Sequence, residues 1–145
     1  DRAMRQALSM AIDRQTLKRS VLDTLGAVGI GPTVRAFPTA DTTIATPKFD
    51  TAAANHILDS LGWHRSKASN FREKDGKQLA IVLLTQTSSQ IRMDMAVLIQ
   101  QQFLAVGVKV TVQALDGQSM RTRVMGTHDY DAAPAPLSQA RGDTA

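Results

Sequence analysis

The residues best equipped for chemistry are His56, His64 and His128, followed by a turn carrying His128, Asp129 and Asp131. No pair of histidines has HExxH or a similar ligand spacing, so a zinc site of the usual kind is not indicated. Imidazole and carboxylates in the 128–131 turn have the right atoms for a metal, but solvated turn residues explain them equally simply. Serines are plentiful, yet no GxSxG elbow presents one as a nucleophile, and no base and acid are spaced to activate it. No catalytic residue is assigned. Gly26, Gly29 and Gly31 suggest a phosphate-cradling loop, but a helix rather than a strand precedes them and the glycine order is wrong for a dinucleotide fingerprint. Arg141-Gly142-Asp143 spells an adhesion tripeptide that a frayed terminus explains. Arg65, Lys67 and Arg72 form a basic loop, read as a solvated turn or, alternatively, as a contact surface for a partner.

Regular elements must position these groups. Met4, Leu8, Ala11 and Ile12 recur at helical spacing, which predicts a helix over residues 1–12. Asp13 reads as the N-cap of a second short helix in which Leu17 and Val21 share a face. Residues 26–47 are rich in Gly, Pro and Thr and read as a long irregular connection. Asp50 begins a third helix with Ala53, Ala54, Ile57, Leu58 and Leu61 as its apolar stripe. Gly62 stands where a left-handed C-terminal residue belongs, and Trp63 folds back on it. Asp75-Gly76 predicts a hairpin turn, and the apolar run 79–84 a strand buried on both faces.

Thr87 and Gln90 have capping-box spacing. They precede a long helix with Ile91, Met95, Leu98, Ile99, Phe103 and Val106 facing inward, ended by Gly107. Val108, Val110 and Val112 alternate with Lys109 and Thr111 in a further strand. Strand, helix and strand make a βαβ unit with a right-handed crossover. A helix over 118–125 and a third strand over 130–133 complete the pattern, which fades after Pro134. The fold class is α/β, a mixed sheet flanked by helices.

Composition narrows the function. The chain has 145 residues, 43% hydrophobic and 21% charged, as expected of one globular domain rather than a disordered one. No apolar run is long enough to span a bilayer. No signal peptide is visible at Asp1. Cysteine is absent, which removes disulfides, thiolate metal sites and thiol nucleophiles together. The net charge of +4 is scattered, and four Phe and one Tyr give little to stack on bases, so nucleic acid is not an expected partner. No cofactor is indicated.

Arg5-Gln6-Ala7-Leu8-Ser9-Met10-Ala11-Ile12-Asp13-Arg14 resembles the "RqAl-xx-AIDR" segment of the peptide/nickel-type solute-binding proteins of ABC transporters. The later segments are similar in order and spacing: Gly31-Pro32, the helix from Asp50 to Trp63, Asp75-Gly76-Lys77, the helix leading to Gly107-Val108-Lys109-Val110, and Tyr130-Asp131. Members of that family are much longer, so the resemblance implies part of the second lobe of a two-lobed receptor, residues 1–145 forming one domain. It implies a periplasmic or other extracytoplasmic, membrane-associated location. It also implies a peptide ligand held between lobes that close as a hinged clamp, and permease subunits as partners.

In relatives the "YD" strand and the segment after it reach the cleft, which by position implies Ala132, Ala133, Pro134 and Ala135 as ligand contacts. Peptide-binding relatives often carry Trp and Asp there, the Asp pairing with the peptide amine. Ala, Pro and Leu stand here instead, and an ordinary core strand with an unravelled end accounts for the stretch as well. Thr85 and Gln86, with the residues to Ser88, are a second candidate site, because open α/β sheets bind ligands past the carboxyl ends of their strands. Nickel chelates, haem or another solute are alternative ligands. A docking or signalling module on the same fold is an alternative role, and an enzyme is not expected.

Overall fold

The computed structural model describes residues 1–22, 43 and 47–133. Helix α1 (Arg2–Met10) and helix α2 (Arg14–Leu22) meet at a corner built by the Ala11-Ile12-Asp13-Arg14 motif. The Asp13 carboxylate accepts from the Gln15 and Thr16 amides, both at 3.0 Å, and from the Thr16 hydroxyl at 2.6 Å. It is the N-cap that the sequence predicts. Those hydrogen bonds, the Thr16 hydroxyl first, hold its pKa below the usual carboxylate range. Arg14 reaches back to the Ser9 carbonyl at 3.0 Å, and Ala11 is fully buried. The motif that carries most of the family resemblance is thus a helix corner.

Helix α3 (Thr51–Ser60) is capped by Asp50, whose carboxylate accepts from the Ala53 amide at 2.8 Å. It ends in a Schellman motif: Gly62 takes φ +84°, its amide donates to Asp59, and the Trp63 amide donates to Leu58 at 3.0 Å. Alanines let α1 and α3 pack closely, Ala7 and Ala11 joining Ala54 and Leu58 in the core.

Strands β1 (His64–Arg65), β2 (Arg72–Lys74) and β3 (Lys77–Gln78) form an antiparallel meander. Lys74 pairs with Lys77 across a two-residue turn in which Asp75 and Gly76 both have positive φ, as Asp-Gly predicts. The meander overturns one expectation. Arg72 is 2% exposed, not a solvated turn residue. Its guanidinium donates to the Val106 carbonyl at 2.8 Å, to Asp59 at 2.5 Å, to Asn55 at 2.8 Å and to the Trp63 carbonyl. Arg65 donates to the Ala105 carbonyl, and Lys74 to the Leu61 carbonyl at 2.7 Å. Helix carboxyl ends leave carbonyls without partners and carry partial negative charge. Three of the basic residues of this region therefore cap the ends of α3 and of the following long helix.

Strand β4 (Ala80–Gln86), helix α4 (Gln90–Ala105) and strand β5 (Lys109–Leu115) make the βαβ unit, with β4 and β5 parallel from Ala80↔Lys109 to Gln86↔Leu115. The strand's carboxyl half, Leu83 to Thr85, is buried, whereas Ala80 is exposed. Ser89, not Thr87, caps α4, accepting from the Arg92 amide at 3.4 Å. The capping box fails because Thr87 bonds to the end of β5 and Gln90 turns forward to Asp94. Ile91, expected inward, is 49% exposed, because it lies in the first turn, beyond the face that Ala96 and Phe103 bury. Gly107 closes α4 with a second Schellman motif at φ +80°, the Val108 amide donating to Phe103 at 2.9 Å. Gln100 donates to the Val110 carbonyl at 2.7 Å and Gln102 accepts from the Asp13 amide at 3.0 Å, tying α4 to the sheet and to α2.

Helix α5 (Gly117–Thr122) is capped by Asp116 and runs into a π-helical turn (Arg123–Thr127) that ends on left-handed His128. The expected third strand is reduced to a single parallel bridge, Leu83↔Ala132. The α/β class holds, with parallel and antiparallel pairings in two adjoining sheets. The glycine loop and the Arg-Gly-Asp tripeptide lie outside the described residues.

Candidate functional site

Parallel pairing decides which end of the sheet carries polar groups. β4 and β5 run the same way, and Ala132 bridges the other edge of β4 in parallel. Gln86, Leu115 and Ala133 therefore finish along one rim, where open α/β sheets present ligand sites. The rim is locked by the Thr87 amide, which donates to the Leu115 carbonyl at 2.9 Å. Asp116 comes immediately after, its carboxylate bonded to the Ser119 hydroxyl at 2.6 Å and to two helix amides. Those bonds, the Ser119 hydroxyl first, keep it ionised below the ordinary carboxylate range.

The predicted residues take different places here. Gln86 is half-buried on the rim, and its side-chain carbonyl accepts from the Arg92 guanidinium. Its amide end lies against Gly117, where an added Cβ would stand 3.3 Å away. Thr85 is fully buried one residue earlier, and its hydroxyl has no partner among the described residues. An unmade hydrogen bond at a buried hydroxyl costs about 1–3 kcal/mol, so the Thr85 hydroxyl is a polar group free to take a partner beside the rim. Ala132 is held against β4, its amide donating to the Val82 carbonyl at 3.1 Å and its carbonyl accepting from Leu84 at 2.9 Å. Ala132 and Ala133 are half-buried and line one wall of an apolar cleft of about 210 Å³, with Arg92 at one end and Phe103 among its walls. Pro134 and Ala135 lie outside the described residues.

The 128–131 turn does not gather its donors. His128 Nδ1 faces the Gly126 carbonyl at 3.1 Å, Asp129 pairs with Arg123 at 3.6 Å, and Asp131 accepts from the Val82 amide at 2.8 Å. His64 lies 3.7 Å from Asp59, whose carboxylate is held below its ordinary range chiefly by the Arg72 hydrogen bond.

Sequence reading overlooked Arg92. The signal was available: a cation in the first turn of a helix opposes the positive end of its dipole, and α4 has no acidic residue there. Among the described residues no carboxylate pairs with it.

Residues 1–144 match the family model described as bacterial extracellular solute-binding proteins, family 5 Middle. The oligopeptide-binding protein AppA of Bacillus subtilis is 30% identical over 135 residues, covering 91% of this chain and 25% of AppA. The solved structure of AppA with a nonapeptide superposes at a TM-score of 0.84 with 28% identity, over 92% of this chain and 27% of that one. NikA from Brucella suis, solved with Fe(III)-EDTA, gives 0.83 with 28% identity, over 91% and 26%. The chain spans about a quarter of the length of these relatives.

Proposed function

The chain belongs to the bacterial extracellular solute-binding proteins of family 5, in their middle region, and from this we propose that it is part of the second lobe of an ABC-transporter receptor for peptides. The observation that carries the reading is the likeness to peptide-bound AppA across nearly the whole chain. Residues 1–145 form one domain, a partial lobe. The receptor works outside the cytoplasm, in the periplasm of a Gram-negative cell or tethered to the outer face of a membrane. It passes its solute to permease subunits and performs no chemistry on it.

Solute meets the rim at the carboxyl ends of the strands. Gln86 contributes an amide steadied by Arg92, next to Thr85 in the strand, and Ala132 and Ala133, with Pro134 and Ala135 following in the sequence, are the further solute contacts of this reading. Main-chain hydrogen bonds fit any peptide, which gives affinity with breadth. Ala132 and Ala133 offer no carboxylate for a peptide amine, so that group is held elsewhere in the receptor. Closure of the two lobes is favoured only by the contacts that solute gains in the closed form.

Calorimetry on the full-length receptor tests this. Mixed nonapeptides are expected to bind saturably, one per receptor, and Gln86→Ala to weaken them by roughly fivefold, the worth of one hydrogen bond. Absence of saturable peptide binding would end the peptide reading. A metal-chelate receptor is the second reading, favoured by the likeness to NikA with Fe(III)-EDTA. Tighter binding of Fe(III)-EDTA or a nickel chelate than of any peptide would establish it.

A further inference from the structure

Two Asp-Gly pairs occur in the chain, Asp75-Gly76 and Asp116-Gly117, and no Asn-Gly. An aspartate side chain reaches the backbone N–H groups that follow it, and a glycine puts no Cβ in the way. The neutral carboxyl is then open to attack by the next amide nitrogen. The N–Cγ bond so formed closes a five-membered succinimide, and the carboxyl hydroxyl leaves with the amide proton as water. Water next opens the ring at either carbonyl. Breaking the new N–Cγ bond restores aspartate. Breaking the original peptide bond leaves the main chain running through Cγ, an isoaspartate with a free α-carboxylate. One water leaves and one returns, so the step needs no oxidant or cofactor.

The fold treats the two pairs differently. The Asp116 carboxylate accepts from the Gln118 amide at 2.9 Å, the Ser119 amide at 3.0 Å and the Ser119 hydroxyl at 2.6 Å. Turning it onto the Gly117 amide breaks all three bonds. Asp75 has no such anchor. It and Gly76 are both exposed. Among the described residues its carboxylate makes no ion pair, and the Gly76 amide donates to no loop or turn acceptor. Nothing lies within 4 Å of a Cβ added at Gly76. The Lys74↔Lys77 pair closes the turn, on strands of only three and two residues. Exposed segments with so few contacts open at little free-energy cost, so the ring can close without unfolding the core.

We propose that Asp75-Gly76 is a site of slow self-modification in the native protein, ageing through a succinimide to isoaspartate, while its N-cap hydrogen bonds protect Asp116-Gly117. The product matters to the fold. Isoaspartate adds one carbon to the main chain of a two-residue turn, and turn length sets hairpin register. Lys74, next to it, holds the Leu61 carbonyl at the end of α3 at 2.7 Å. The inference is independent of which solute the full-length protein carries.

The test uses the full-length protein, held folded at mildly acidic pH in oxygen-18 water and then digested for mass spectrometry. Each passage through the ring leaves one labelled oxygen at the aspartate, and an isoaspartyl peptide separates from its normal form. Label and isoaspartate are expected to build up about tenfold more at Asp75 than at Asp116, the factor that one charge-assisted hydrogen bond is worth. In urea the two sites are expected to react alike. Equal reaction in the folded protein, more at Asp116, or reaction at neither site when both react in urea would overturn the proposal. Asp75→Asn keeps the hairpin, since Asn-Gly is a favoured pair for this turn. At neutral pH the variant is expected to lose ammonia through the same ring and give aspartate and isoaspartate at position 75. Asparagine that persists in the folded variant but is lost in urea would overturn it as well.

Discussion

Arg72 donates to two carbonyls, a carboxylate and a side-chain amide from inside the protein. Loss of a buried ion-pair partner costs about 3–5 kcal/mol. Asp59 is half exposed and stays hydrated when abandoned, which puts the expected cost of Arg72→Ala near 3 kcal/mol, read from a urea midpoint. Arg72→Lys should recover little, since an ammonium cannot fork among four acceptors. Asp59 gives this a pH signature. Its folded pKa is lowered, chiefly by Arg72, so its contribution is present above the ordinary carboxylate range. That contribution fades as pH falls from about 4 through the lowered value. Asp59→Asn should lose stability at neutral pH and show a flatter decline in acid. Parallel pH–stability curves for the two proteins would refute the linkage.

Two glycines end helices by the same motif, yet the elements around them differ. Gly107 at φ +80° has the Arg72 side chain 3.0 Å from where a Cβ would stand. Gly62 at φ +84° faces only the end of the flexible Lys74 side chain, at 3.4 Å. Left-handed backbone costs a non-glycine residue roughly 1–2 kcal/mol. Gly62→Ala is expected to cost about that much, and Gly107→Ala more, because the crowded neighbour is the buried arginine. Equal losses in thermal melts would show that Arg72 yields freely. At the other end of α4, Ser89→Ala should cost about 1 kcal/mol, the usual worth of an N-cap. Thr87→Ala should cost less, since its exposed hydroxyl donates to the Leu115 carbonyl, which already accepts from the Thr87 amide, and satisfies no helix amide. The reverse order would restore the capping box that the spacing suggested.

At the scale of the whole molecule, the proposed receptor would grip its ligand by sharing it between this partial lobe and a partner lobe. These 145 residues by themselves are expected to bind peptides weakly or undetectably, because a solute on the bare rim lacks the contacts that closure supplies. Isothermal calorimetry with mixed nonapeptides checks this, and tight binding by this chain alone would contradict the clamp.

Much of this was legible in the order of residues. Helix starts at Asp13 and Asp50, stops at Gly62 and Gly107, the Asp-Gly turn and the alternation of β5 all obey local rules: each is set by the backbone chemistry of a few neighbours. The βαβ unit is built from them, and the family resemblance rests on the same segments. Burial was less accessible, because it depends on what packs opposite. Arg72 read as a surface cation until two helix ends, 13 and 34 residues away in sequence, were seen to converge on it. Ile91 matched the inward period of α4 but lies beyond the sheet's cover. Arg92, Gln86 and the Ala132–Ala133 wall share one neighbourhood only because parallel pairing aligns strand ends that stand far apart in the chain. Local chemistry is encoded locally; which charge is buried depends on the long-range packing that only the folded chain supplies.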